Sequence, residues 1–271
     1  MVVAPHCDDE VLGAGGLIMK SIERNARVKI VVVTNGDNNI FSTDIEFKTF
    51  HANPKKYVEA GEIRQRESIR AAGSLGVKAG DIAFLGYPDR GIKALYLTNW
   101  PNHNPYRSLA THTTRSPYKL TYEPGVIYSG ENLLRNLERI IGEFSPTIVV
   151  SPHEDDHHKD HKYTFEFVKM ALGELYPEGG EADAARPLLL AYLIHFRNFP
   201  RPKGFKPEEY IRPPFSASFD MSWFKLMMDV EDVDSKYDAI RLYSSQIKVP
   251  ELGRLMRSFA RRNELFEEVK Y

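Results

Sequence analysis

A single cysteine, Cys7, stands among the 271 residues of this chain, which excludes an internal disulfide and any cluster of thiolate metal ligands. Charge of one sign is scarce too: 36 Lys and Arg against 37 Asp and Glu leave a net charge of -1. Such a balance offers no field to recruit nucleic acid or an anionic membrane. No apolar run approaches the roughly 18 residues that a membrane span needs, and no basic-then-apolar leader precedes the first predicted strand. A lone thiol suits a reducing compartment, so a cytoplasmic location is expected. Because the first strand begins abruptly at residue 2, an export signal removed upstream stays open. Repeats and low-complexity tracts are absent from the sequence. What remains, 42% hydrophobic and 27% charged residues, is the composition of an ordinary globular protein.

The apolar pattern alternates between short buried strands and amphipathic helices. Residues 2–5 read as a strand and 9–25 as a helix, with Val11, Leu12, Leu17, Ile18 and Ile22 at helical spacing. Residues 28–34 (VKIVVVT) form a continuous β-branched run, the mark of a strand buried on both faces, and Asn35-Gly36-Asp37 closes it. A helix at 59–75, a strand at 82–85, a helix at 131–144 capped by Ser129, a strand at 147–150 and a helix at 159–176 follow. This order predicts an α/β protein: a doubly wound, mostly parallel, Rossmann-like sheet with helices on both faces. Residues 90–130 lack a period but are rich in Tyr and Pro, and read as an ordered excursion over the active site, with Tyr96, Trp100, Tyr106, Tyr118 and Tyr122 as a rim or as packing. A C-terminal α/β extension at 188–271 is expected to hold strands at 188–196 and near 223–228, and helices near 234–245 and 251–268. One domain is expected over 1–271, with a core at 1–176; a homo-oligomer stays open.

Two stretches carry the chemistry. His6-Cys7-Asp8-Asp9-Glu10 ends the first strand, and His153-Glu154-Asp155-Asp156-His157-His158-Lys159-Asp160-His161 ends the fourth. Adjacent carboxylates repel and are costly to bury, so folding alone gives no reason for either run. Acids in such turns also serve as helix N-terminal charges, but two clusters at equivalent strand ends favour chemistry. In an open α/β sheet ligands sit beyond the carboxyl ends of the strands, where the strand order reverses. If strands one and four are neighbours there, a divalent cation neutralises both runs. Imidazole with carboxylate and no thiolate suits Zn²⁺, and Fe²⁺, Ni²⁺, Co²⁺ or Mn²⁺ also fit. His6 and Asp9 can converge on one ion, leaving Asp8 free; His158 and His161 share a helix face, and either can reach the ion.

The run from His6 to Glu10 resembles the (A/P)-H-P-D-D-E signature of the PIG-L/LmbE-like metal-dependent N-acetylglucosaminyl deacetylases, and His158-Lys159-Asp160-His161 resembles their H-x-D-H signature. The likeness spans roughly the first 170 residues, and includes Thr34-Asn35-Gly36, Arg64 with Glu67, Leu75-Gly76-Val77 and Leu85-Gly86-Tyr87-Pro88-Asp89. It implies His6, Asp9 and His161 as metal ligands and Asp8 as general base. It further implies His158 as an electrophilic or proton-donating residue oriented by Asp160, and Arg64 and Asp89 as contacts to substrate hydroxyls. Cys7 replaces the family's usual proline, Asp156 stands where some members have a tyrosine, and the C-terminal hundred residues match only loosely.

The implied activity is hydrolysis of an N-acetylglucosamine-like amide, with a small N-acetylated sugar as substrate. Carboxylates such as Asp160 are expected to keep His158 cationic. Two other readings are kept: a hydrolase of another small amide, such as an acylated amino acid, antibiotic or thiol conjugate, and a non-catalytic sugar-binding protein. Arg64 has a purely structural use in pairing with Glu67, and Asp89 one as a turn residue. The glycines at 13, 15 and 16 fall inside the predicted helix rather than at its turn, so no dinucleotide is expected.

Overall fold

Short β-branched segments that can be buried on both faces make the centre of the sheet. In the computed structural model, which describes residues 1–177, 186–214 and 223–271, these are β1 (Val2–Ala4) and β2 (Ile30–Thr34), every residue of them buried. β3 (Ile82–Tyr87), β4 (Ile148–Pro152) and β5 (Leu188–Tyr192) extend the parallel set; β6 (Trp223–Met227) and β7 (Asn263–Val269) close it as an antiparallel pair. The strand order is β3-β2-β1-β4-β5-β7-β6 among the described residues. The chain therefore leaves β1 for β2 on one side and reaches β4 on the other, so the order reverses between β1 and β4.

Helices cover both faces. On one lie α1 (Asp9–Glu23), α3 (Pro54–Ser74), α7 (Val230–Arg241) and α9 (Pro250–Arg257), whose Val11, Ile18, Ala71, Val233, Ile240 and Met256 share a core with Val2, Ile30 and Val32. The other holds α4 (Ile92–Leu97), α5 (Gly130–Phe144) and α6 (Lys159–Leu175), where Leu133, Leu137 and Phe165 pack with Val3, Val31 and Val149. The Ser129 hydroxyl caps α5 by accepting from the Asn132 amide at 3.3 Å. Two further short helices are α2 (Ile40–Phe47) and α8 (Ser244–Ile247).

Several boundaries differ from the sequence expectation for physical reasons. The expected helix at 251–268 splits into α9 and β7, because the free edge of β5 pairs with residues 267–269 and sheet pairing overrides local propensity. The expected strand at 188–196 stops at Tyr192, and the chain then turns to bring His195 to the carboxyl ends. α3 starts five residues before the expected helix, with Asn53 as cap and Pro54 in the first turn. The aromatics of 90–130 pack rather than ring a crevice: Tyr96 and Trp100 meet the Phe167 ring at 5.3 and 5.9 Å, and the Tyr118 hydroxyl donates to Asp37. Of the C-terminal extension, residues 215–222 lie outside the described residues.

Candidate metal centre and active site

Because β1 and β4 are neighbours at the reversal, the two acid-histidine runs meet. His6 Nδ1 lies 3.0 Å from Asp9 Oδ2, and the same oxygen lies 3.0 Å from His161 Nε2. The three side chains are buried. His161 holds both ring nitrogens out of solvent, near Asp9 and Asp156 but at hydrogen-bonding angles to neither. A buried imidazole with unsatisfied nitrogens beside carboxylates is costly, and a cation accepting its lone pair removes that cost. Imidazole and carboxylate donors therefore fit a divalent metal here. Three sets of donor atoms gather within 4.8 Å in this region: His6, His158 and His161; Asp9, His161 and His195; and His6, Asp89 and Asp160.

The charges agree with a seat for a cation. Burial opposes it, yet the adjacent His161, followed by His6 with its hydrogen bond, holds the Asp9 carboxyl well below its usual range. His6 is raised well above its ordinary value, since hydrogen bonds to Asp160, Asp89 and Asp9 outweigh burial. His161, despite burial, rises to about 10 beside Asp156 and Asp9. Each of these imidazoles binds positive charge more strongly than it would in water.

Asp8 sits apart from this contact, held by its own backbone. Its φ of 139° is rare for a residue with a Cβ and costs on the order of 1–3 kcal/mol. Glu10 offsets that by accepting from the Asp8 amide at 2.9 Å, and is itself fixed by the hydroxyls of Ser68 and Tyr243. Arg64 adds a second clasp: Nη2 donates to the Cys7 carbonyl at 2.8 Å and lies 3.2 Å from Asp8 Oδ2, while Nη1 donates to the Gly36 carbonyl at 2.9 Å. Gly36 is at φ +65°, and a Cβ there would overlap the guanidinium. Glu67 is engaged elsewhere, by Ser244 and Ser245, so it does not pair with Arg64. Burial, outweighing Arg64, pushes the Asp8 carboxyl up to about 7.

Asp160 and His158 relate differently from the expectation. The Asp160 carboxylate accepts from the amides of Arg90 (2.6 Å) and Ile92 (3.3 Å) and approaches His6 Nε2 at 3.4 Å. Its backbone amide, not its side chain, meets His158, donating to Nδ1 at 3.3 Å as the cap of α6. Burial, reinforced by the charges of His6 and His161, lowers the His158 ring to about 2, which favours its neutral form. Asp89 accepts from the Asn38 amide at 2.8 Å and lies 3.4 Å from His6 Nε2; against burial, His6 holds it well below the usual carboxylate range.

Two participants escaped the sequence reading. Asp156 places Oδ2 3.1 Å from His161 Nδ1 and accepts the amides of Ile194 and His195 on the same oxygen. His195 turns its ring to within 4.8 Å of the His161 centroid and 5.3 Å of the His158 centroid. Position after a parallel strand was the available signal for His195.

A crevice of about 200 Å³ opens over these groups. Its floor holds His6, Asp8, Asp9, Asp89, His158 and His195; its wall includes Asn39, Arg64, Arg90, Gln246, Leu252 and Leu255. Of the expected excursion at 90–130, only Arg90 lines it. α8 and α9 form the facing side instead, tied to the start of α2 by a 3.0 Å hydrogen bond from Asn39 Nδ2 to Gln246 Oε1.

A family model described as "PIG-L: GlcNAc-PI de-N-acetylase" matches residues 1–172. No curated protein sequence matches the chain. Among solved structures, the fold is similar to that of N,N'-diacetylchitobiose deacetylase from Pyrococcus horikoshii, with TM-score 0.55 and 19% identity over 99% of this chain and 82% of that one. A deacetylase of the teicoplanin biosynthesis pathway is similar at TM-score 0.60 and 16% identity, over 98% and 96% of the two chains. GalB, the 4-carboxy-2-hydroxymuconate hydratase from Pseudomonas putida KT2440, is similar at TM-score 0.55 and 18% identity, over 95% and 81%. At these identities the likeness is one of fold, and it spans enzymes of different reactions.

Proposed function

The chain belongs to the PIG-L family, and on that premise we propose that it is a metal-dependent hydrolase that removes the acetyl group from an N-acetylglucosamine-like substrate. The observation that carries the reading is the meeting of His6, Asp9 and His161 at hydrogen-bond distances beside a separately held Asp8, in one crevice. His6, Asp9 and His161 would hold the cation, Zn²⁺ or another divalent ion of similar ligand preference. When bound, such an ion supplies Lewis-acid chemistry, polarising a carbonyl and bringing the pKa of water towards about 7.

The chain's own groups do the rest. Asp8 accepts the proton of the attacking water; a carboxyl near pH 7 is matched to that task. Arg64 and Glu10 keep it in the conformation that separates it from Asp9. His158 receives the Asp160 amide on Nδ1, so its neutral form carries the proton on Nε2 and donates from there to the amide oxygen, as a neutral imidazole can. Asp8 then returns its proton to the leaving nitrogen, and acetate and the free amine depart with the water's atoms accounted for. Arg64, Asp89, Asn38 and Gln246 present polar groups to the substrate's hydroxyls.

Acetate release from a panel of N-acetylated amino sugars tests the reading. Turnover of at least one, abolished in Asp8→Asn, is expected; acylated amino acids in the same panel test the other amides. No release from any amide by metal-loaded protein would overturn it.

A further inference from the structure

We infer that His195 is a fourth protein ligand of the cation, joining His6, Asp9 and His161. This rests on the metal-dependent reading above and deepens it. Three observations carry it. The donor atoms of His195, Asp9 and His161 lie within 4.8 Å of one another, and His161 also belongs to the set containing His6. Asp9 Oδ2 lies 3.0 Å from both His6 Nδ1 and His161 Nε2, so Asp9 and His161 link His195 to His6. Finally, the backbone of His195 is fixed on both sides: its amide donates to Asp156 at 3.0 Å and its carbonyl accepts from the His157 amide at 2.7 Å.

Its ring has no competing task. Neither ring nitrogen of His195 makes a hydrogen bond or ion pair among the described residues, although the ring lines the crevice and lies 5.3 and 4.8 Å from the His158 and His161 rings. A structural histidine at such a position hydrogen-bonds at least one nitrogen. Asp156 ties the arrangement together, since a single oxygen approaches His161 Nδ1 and receives the His195 amide. The carboxylate beside the His161 ring thus also fixes the backbone of His195.

The chemical consequence concerns which cation works. Three imidazoles and one carboxylate fill the four positions that Zn²⁺ ordinarily takes, whereas ions accepting five or six ligands keep positions for water and substrate. Co²⁺, Ni²⁺, Fe²⁺ or Mn²⁺ should therefore support more activity than Zn²⁺, which would work here only by expanding to five ligands.

X-ray absorption of the Co²⁺-loaded full chain counts the imidazoles directly. Three are expected in the wild type and in His158→Ala, two in His195→Ala, and Co²⁺ affinity in His195→Ala should fall at least about tenfold. His195→Asn provides a second, smaller perturbation, with folding checked by circular dichroism. Two imidazoles in the wild type, or an unchanged Co²⁺ spectrum and affinity in both His195 variants, overturn the inference while leaving the metal-dependent reading intact. A wild type that binds no Co²⁺ overturns both.

Discussion

Asp156 and His161 face each other across 3.1 Å, Oδ2 to Nδ1, on the side of the imidazole away from Asp9. Neither residue is exposed. The carboxylate charge beside the imidazole strengthens the ring's hold on positive charge.

Asp156→Asn keeps the shape but removes that charge. Metal affinity is expected to fall roughly 10- to 100-fold, read by competition with a chelating dye, with the melting temperature little changed. Unaltered affinity would show that the carboxylate does not act through His161.

Arg64 is a buried cation shared among Asp8, Cys7 and Gly36. Arg64→Ala leaves the Asp8 carboxylate buried and unpaired, a change worth about 3–5 kcal/mol in comparable sites. Urea unfolding measures it. Arg64→Lys should recover only part, because an ammonium cannot reach three acceptors in a fork.

The division of roles between neighbouring acids predicts opposite phenotypes. Asp8→Asn should lose roughly 10²–10⁴ in turnover while keeping its cation; Asp9→Asn should lose the cation itself. Metal content and acetate release on the same preparations distinguish them.

Asp37 titrates out of its usual range. Burial, aided by repulsion from Asp89 and opposed by the Tyr118 hydroxyl, raises its carboxyl from 3.8 to about 7. The folded state therefore holds a proton that the unfolded chain releases above about pH 4, so stability falls as pH rises from there to about 7 and the loss is complete above it. Asp37→Asn should raise the melting temperature relative to wild type at about pH 8.5 more than at about pH 5. An equal difference at both would contradict this.

What the sequence disclosed follows from how locally each feature is encoded. His6 to Glu10 and His158 to His161 each lie within one turn, and β-branched runs such as residues 28–34 announce buried parallel strands, so the meeting of β1 and β4 could be anticipated. His195 could not. It is an isolated histidine after an apolar strand, and only the turn beyond Tyr192 and the Asp156 hydrogen bonds bring it to the crevice. The downward shift of His158 was hidden for a similar reason: it depends on burial and on His6 and His161, which are neighbours in space. β7 looked helical because its glutamates favour helix, whereas its partners β5 and β6 are far away in sequence. Gln246, Leu252 and Leu255 reach the crevice only through the packing of α8 and α9.

Elemental analysis of the purified wild type beside His161→Ala tests the central claim most directly. One divalent ion per chain in the wild type and almost none in the variant is the result expected if the runs after β1 and β4 share a cation. A wild type that takes up no ion, or a His161→Ala protein that keeps a full complement, would contradict it.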